Sequence, residues 1–186
     1  MTQSILRSIA LSALLLTVGR LEAASPSPPE ARATGTKIIL VRHAERVSPN
    51  GDLPLSEAGR ERAALLARML SHTGVTHIFT SEMIRTKETA APLATQLGLT
   101  PVVVPVAQSD ALVSQLEQLP DGAVALVVNH GGPIPRIIEK LGASAPAPIA
   151  EDTFDRLFAV TRNGAGRASV IEMRYGKPPE EATPRQ

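Results

Sequence analysis

The stretch Thr36-Lys37-Ile38-Ile39-Leu40-Val41, running straight into Arg42-His43-Ala44-Glu45, decides the reading of this chain. Four consecutive apolar residues rich in Ile, Leu and Val predict a strand buried on both faces. Such strands belong to parallel sheets covered by helices, and ligands bind there beyond the carboxyl ends of the strands. A second stretch has the same plan. Ala123-Val124-Ala125-Leu126-Val127-Val128 runs into Asn129-His130-Gly131-Gly132-Pro133. Between them, Val75 to Thr80 reads as a strand followed by Ser81-Glu82-Met83-Ile84-Arg85-Thr86. If these strands are neighbours, two imidazoles and two guanidinium groups meet over one sheet edge, which suits a dianionic group such as phosphate.

Working outward, the chain alternates strand and helix. Ser56 is expected to cap a helix whose buried face is Ala63, Leu66, Ala67 and Leu70, at i, i+3, i+4 and i+7. Ser81 is expected to cap the next helix, with Ala90, Leu93, Ala94 and Leu97 inward and Pro92 kinking or dividing it before Gly98 ends it. Pro101–Val106 reads as a third strand, and Ser109 as the cap of a helix carrying Leu112, Leu116 and Leu119. Residues 122–128 form the fourth strand, and Pro133 opens a helix that stops at Gly142. Phe154–Thr161 and Ala168–Tyr175 read as a closing strand pair, a hairpin around Asn163-Gly164. The expected fold class is α/β: a three-layer α/β/α sandwich with a mainly parallel sheet, the last strand pair adding an antiparallel member.

The length of 186 residues suits one domain with a real core. Residues 1–24 read as a signal peptide, with Arg7, an apolar run from Ile9 to Val18 and small residues Ala23 and Ala24. The run is short for a bilayer span, so no stable membrane insertion is expected after its removal, and the expected location is periplasmic or secreted. Losing Arg7, Arg20 and Glu22 brings the formal charge from +1 to zero. Residues 25–35 read as a disordered Ser/Pro/Ala linker, 36–176 as the folded domain and 177–186 as a flexible tail. With 2% aromatic residues and no basic run, nucleic acid is not an expected partner. With no cysteine there is no thiol nucleophile and no zinc ribbon. His43-Ala44-Glu45 spells the His-x-Glu of nucleobase deaminases, but their cysteine pair is missing. No other spacing suggests a metal site, and no Gly-x4-Gly-Lys phosphate loop is present. No cofactor is therefore expected. His72, at a helix end, and His77, at a strand start, read as surface or core fillers, and oligomeric state is not readable.

Neutral imidazole is a good nucleophile toward phosphorus, arginine grips phosphoryl oxygens in pairs, and backbone N–H groups at a glycine-rich helix start add to that grip. Arg42-His43-Ala44-Glu45, Ser81-x-x-x-Arg85-Thr86-x-x-Thr89-Ala90 and Asn129-His130-Gly131-Gly132 together resemble the motifs of the histidine phosphatase superfamily, which includes cofactor-dependent phosphoglycerate mutases. The resemblance covers roughly residues 36–175. It implies a phosphoglycerate mutase-like fold and hydrolysis of a small phosphorylated substrate, a phosphomonoester, through a phosphohistidine. By that resemblance His43 is the nucleophile, and Arg42, Arg85 and His130 hold the phosphoryl group. Asp110 stands where the family's general acid usually lies; Glu82 and Glu88 are the alternatives. The family more often has Gly at Ala44, and the Arg-His-Ala-Glu form resembles small bacterial branches, among them phosphohistidine phosphatases and the exported lipopolysaccharide heptose phosphatase. Pro49 stands where mutases carry an asparagine, which speaks against a mutase pocket. Protein phosphohistidine hydrolysis by the same residues, or a phosphate-binding module without turnover, are the competing expectations.

Overall fold

The computed structural model describes residues 35–163 and 167–178. The signal-peptide reading, most of the linker reading and most of the tail reading fall outside these residues. The sheet is built from β1 (Thr36–Arg42), β2 (His77–Thr80), β3 (Val102–Val103), β4 (Val124–Asn129), β5 (Arg156–Arg162) and β6 (Ala168–Arg174). Its strand order is β3-β2-β4-β1-β5-β6. The four members β3, β2, β4 and β1 run parallel; β5 is antiparallel to β1, and β6 to β5. The helices are α1 (Glu57–Leu70), α2 (Ile84–Leu97), α3 (Ser109–Glu117) and α4 (Pro133–Lys140).

The apolar alternation of β1 explains the three layers. Ile38 and Leu40 pack into a core with Leu112 and Leu116 of α3 and Ile134, Ile137 and Ile138 of α4. Ile39 and Val41 face the other way, into a core with Leu66, Ala67 and Leu70 of α1 and Ala90, Leu93 and Ala94 of α2. Side chains on successive strand residues point to opposite faces, so one unbroken apolar run serves both cores. Each fully buried Ile or Leu contributes about 1.5–3 kcal/mol. The expected inward faces of α1 and α2 are buried as read, apart from a partly buried Leu97. Among the described residues no helix is long and apolar enough to cross a membrane.

Four local expectations are corrected. The third strand is two residues long, not six. Val104 N–H still reaches Thr80 O at 2.9 Å, but Pro105 has no N–H to continue the ladder, and the chain coils into a 3-10 turn at Val106–Gln108. Ser109 does not cap α3: that turn leads directly into the helix, and the Ser109 hydroxyl donates back to Val106 O at 2.9 Å. Ser81 does not cap α2, because extended Met83 sets the helix start at Ile84, whose N–H is taken by the Asp52 carboxylate at 2.9 Å. Pro92 does not divide α2, which is continuous across it. The lost bond to the Glu88 carbonyl is local, while Ala90, Leu93 and Ala94 keep the whole inner face packed. Ser56, by contrast, caps α1 as expected, accepting from Gly59 N–H at 3.1 Å.

Candidate active site

Sheet register assembles the site. In the β1–β4 pairing Arg42 stands opposite Asn129, and His43 N–H donates to Asn129 O at 2.8 Å. The residue after each strand is a histidine, so His43 and His130 are brought together. Their ring centroids lie 5.3 Å apart, edge to face. On the other side of β4, Thr80 stands opposite Val128, which sets Ser81 beside His130. Asn129 Oδ1 accepts from His130 N–H at 2.8 Å and fixes the turn out of β4.

The hydrogen bonds define both tautomers. His43 Nδ1 lies 2.8 Å from Ala44 O, and a carbonyl only accepts, so Nδ1 carries the proton and Nε2 keeps its lone pair. Burial, Arg42, His130 and Arg85 together push the His43 imidazolium down to about 3, against a smaller upward pull from the Ala44 bond. His43 is thus a neutral, oriented base with a free Nε2. For His130, Arg85 Nη2 approaches Nδ1 at 3.4 Å and can only donate, so Nε2–H donates to Ser81 Oγ at 3.0 Å. Ser81 Oγ in turn pairs with Thr86 Oγ1 at 2.9 Å, and Thr86 donates to Met83 O at 2.8 Å. Both hydroxyl residues are fully buried. Burial first, then Arg85, lowers His130 to about 4, with Glu82 opposing.

The cations are anchored from several elements. Arg42 donates through Nη1 to Ala150 O and lies over the Phe154 ring, 4.4 Å from its centroid, while the same ring is 6.0 Å from that of His43. Arg85 Nη1 pairs with Asp52 at 3.2 Å. Burial lowers the pKa of both arginines, and the charge of Arg46 lowers both further. The Nε–H groups of Arg42 and Arg85 are buried and without a protein acceptor. The loop from β1 to α1 is strapped to α2 by Ala44 N–H to Thr89 Oγ1 at 2.9 Å and Leu55 N–H to Glu88 at 2.6 Å. Its other side is clamped by Arg62, which grips Glu45 through Nε and Nη2 and donates to Tyr175 O and Lys177 O. A side chain on Gly131 would come within 3.1 Å of Ile149 O, whereas Gly132 has open space around it.

Of the residues expected from sequence, Arg42, His43, Arg85 and His130 are brought together. Asp110 is not: its side chain is 81% exposed, pairs with Lys140, and makes no bond to those four. Lys140 first, then Arg136, lowers its pKa. Glu88 is committed to the Leu55 N–H. Glu82 is the carboxylate whose charge acts on His130; its Oε2 accepts from Val106 N–H at 2.9 Å, and backbone hydrogen bonds hold its pKa low. Sequence reasoning did not find Asp52, Ser81 as partner of His130, or Phe154. The rarity of Phe, three in the chain, was a signal for the last. No cluster of three His, Cys, Asp or Glu suited to a metal is found among the described residues.

Residues 38–108 match the model of the histidine phosphatase superfamily (branch 1). Over 76 residues the chain is 38% identical to "Probable phosphoglycerate mutase GpmB" of Yersinia pestis (strain Pestoides F), covering 37% of this chain and 35% of that protein. The chain thus matches about a third of the length of the curated relatives. The fold is similar to the protein histidine phosphatase SixA complexed with tungstate, with a TM-score of 0.59 and 19% identity over 74% of this chain and 96% of that one. It is also similar to mycobacterial glucosyl-3-phosphoglycerate phosphatase, with a TM-score of 0.56 and 16% identity over 75% and 97%. At these identities the likeness is one of fold.

Proposed function

We propose that this chain, which belongs to the histidine phosphatase superfamily, hydrolyses phosphomonoesters through a phosphohistidine formed on His43. One observation carries the reading: a neutral imidazole with its Nδ1–H tied down and its Nε2 free faces a second imidazole 5.3 Å away, among crowded arginines. The charges of Arg46 and Arg85 lower the pKa of Arg42, and that of Arg46 lowers the pKa of Arg85; this repulsion is relieved when a dianion enters. An anion also offers acceptors to guanidinium groups whose Nε–H donors find none in the protein.

His43 Nε2 attacks phosphorus, the P–O bond to the leaving alcohol breaks, and the alkoxide takes a proton. Water then attacks the phosphohistidine, the P–N bond breaks, and the proton lost by water is taken up by a base. The arginines and His130 neutralise charge on the equatorial oxygens. Glu82 is the carboxylate placed to give the first proton and take the second. Backbone hydrogen bonds hold the Glu82 pKa below the ordinary carboxylate value, so its protonated form, the one that can give the first proton, gains as the pH falls. The reading of residues 1–24 as an export signal supports an activity outside the cytoplasm. Hydrolysis of phenyl phosphate by the purified protein in the presence of EDTA, lost in His43→Ala, is the expected result; equal rates in both proteins refute the reading.

A further inference from the structure

Two residues past His130 the surface opens into a groove of about 440 Å³ that takes no part in the phosphoryl cage. Val106 and Asp110 form one wall; Gly132, Arg136, Ile137 and Lys140 form the other. Two of its lining residues lead to the His130 side of the site. Gly132 directly follows the His130-Gly131 turn and has nothing within 4 Å of where a side chain would stand. Val106 N–H is held by Glu82, the carboxylate that acts on His130.

The groove has an apolar base and a cationic far end. Val106, Ala107 and Pro133 offer carbon surface. Arg136 is exposed and has no ion pair among the described residues, while Lys140 is paired with Asp110 across the groove. Asp110 is 81% exposed and Lys140 40%, and pairs this open to water contribute little, so an incoming anion can replace the Asp110 carboxylate. Arg136 stands four residues after Gly132, roughly 6 Å further along α4 at 1.5 Å per residue, and its own length extends that reach.

We infer that this groove is the specificity subsite for the leaving group. It takes an alcohol whose carbon skeleton spans the apolar base and whose far end carries a second anionic group, a carboxylate or phosphate, read by Arg136. Asp110 holds that place in the free protein by pairing with Lys140. The inference rests on the phosphatase reading above, and it gives Asp110 a role in selecting substrate rather than in proton transfer.

Two aryl esters of matched shape test it: 3-(4-phosphonooxyphenyl)propanoate, with a distal carboxylate, and 4-propylphenyl phosphate, without one. The readout is the ratio of their kcat/KM values within each protein, which does not depend on the fraction of folded enzyme. The full chain is expected to favour the carboxylate by about fivefold, the upper end for an ion pair at a water-exposed arginine. Arg136→Gln brings the ratio close to one, and Asp110→Asn, by freeing Lys140, raises it above that of the parent. Glu139→Gln, next to the groove but outside it, changes the ratio less than twofold. A ratio near one in the parent overturns the subsite while turnover of 4-propylphenyl phosphate keeps the phosphatase reading. A ratio that moves as far in Glu139→Gln as in Arg136→Gln assigns the preference to the overall field and also overturns it. Turnover of neither ester refutes the phosphatase reading and the subsite with it.

Discussion

The floor of the site and its rim are built by different means. On the floor, His43 and His130 each follow directly after a buried parallel strand, and the Arg42–Asn129 register leaves them one place to be. On the rim, Asp110 follows a two-residue edge strand and a 3-10 turn, is exposed, and answers to Lys140. A position set by a sheet ladder with both faces packed is fixed by many bonds at once. A position set by a short turn at the sheet edge is fixed by few, and its nearest charges decide where it points.

The largest effect should fall on the floor. His43→Ala is expected to lower kcat on phenyl phosphate by about 10⁴-fold or more, the scale seen when a covalent nucleophile is removed. A loss below tenfold in steady-state assays breaks the contrast. Arg85→Ala, which removes a charge aimed at the phosphoryl group, should cost about 10²–10³ in kcat/KM, with weaker vanadate inhibition as a second readout. Both histidines are neutral in the folded protein down to about pH 3 and 4, whereas the unfolded chain takes up protons below about 6.5. Between those limits the unfolded state binds more protons, so stability rises with pH through that window and is lost as pH falls from 6.5 toward 3. The same logic puts the acid limb that His43 adds to kcat/KM near pH 3 rather than near 6.5, apart from the limb at about 6 that the second ionisation of the phosphate ester itself contributes. Thermal unfolding over pH 3–7 checks the first, and an NMR titration of the His43 imidazole checks the second; a His43 midpoint at 6.5 contradicts a buried neutral imidazole.

Smaller effects sharpen the boundary between the two regions. Ser81→Ala removes the acceptor of His130 Nε2–H and should cost about 1–2 kcal/mol of transition-state stabilisation, roughly tenfold in kcat, while Ser81→Thr restores part of it. Asp110→Asn is the smallest: less than about threefold on phenyl phosphate, since an exposed, ion-paired carboxylate off the floor has little to give the reaction. A loss of a hundredfold there returns Asp110 to the chemistry and erases the distinction between floor and rim.

The same contrast explains what could be read in the chain itself. Apolar runs 36–41 and 123–128, the helical stripes of α1 and α2 and the closing antiparallel pair were legible because each pattern repeats a bond geometry. Arg42, His43 and His130 could be placed because they adjoin those runs. Asp52 was not legible: it caps α2 from a loop 32 residues earlier in the chain, a contact no local spacing encodes. Ser81 was legible as a polar residue before a helix, yet its hydroxyl serves His130, because β2 beside β4 places it there. Arg46 shows in the sequence only as a loop charge, and its effect on Arg42 and Arg85 needs the turn back to Leu55.

The central claim is the covalent intermediate, and it is tested most directly by mixing the protein with phenyl phosphate, quenching in base within milliseconds, and mapping the phosphorylated peptide by mass spectrometry. A base-stable, acid-labile phosphate on His43, absent from His43→Ala and discharged at the rate of turnover, is the expected result. Active turnover with no label on His43, or with the label on His130 instead, contradicts it.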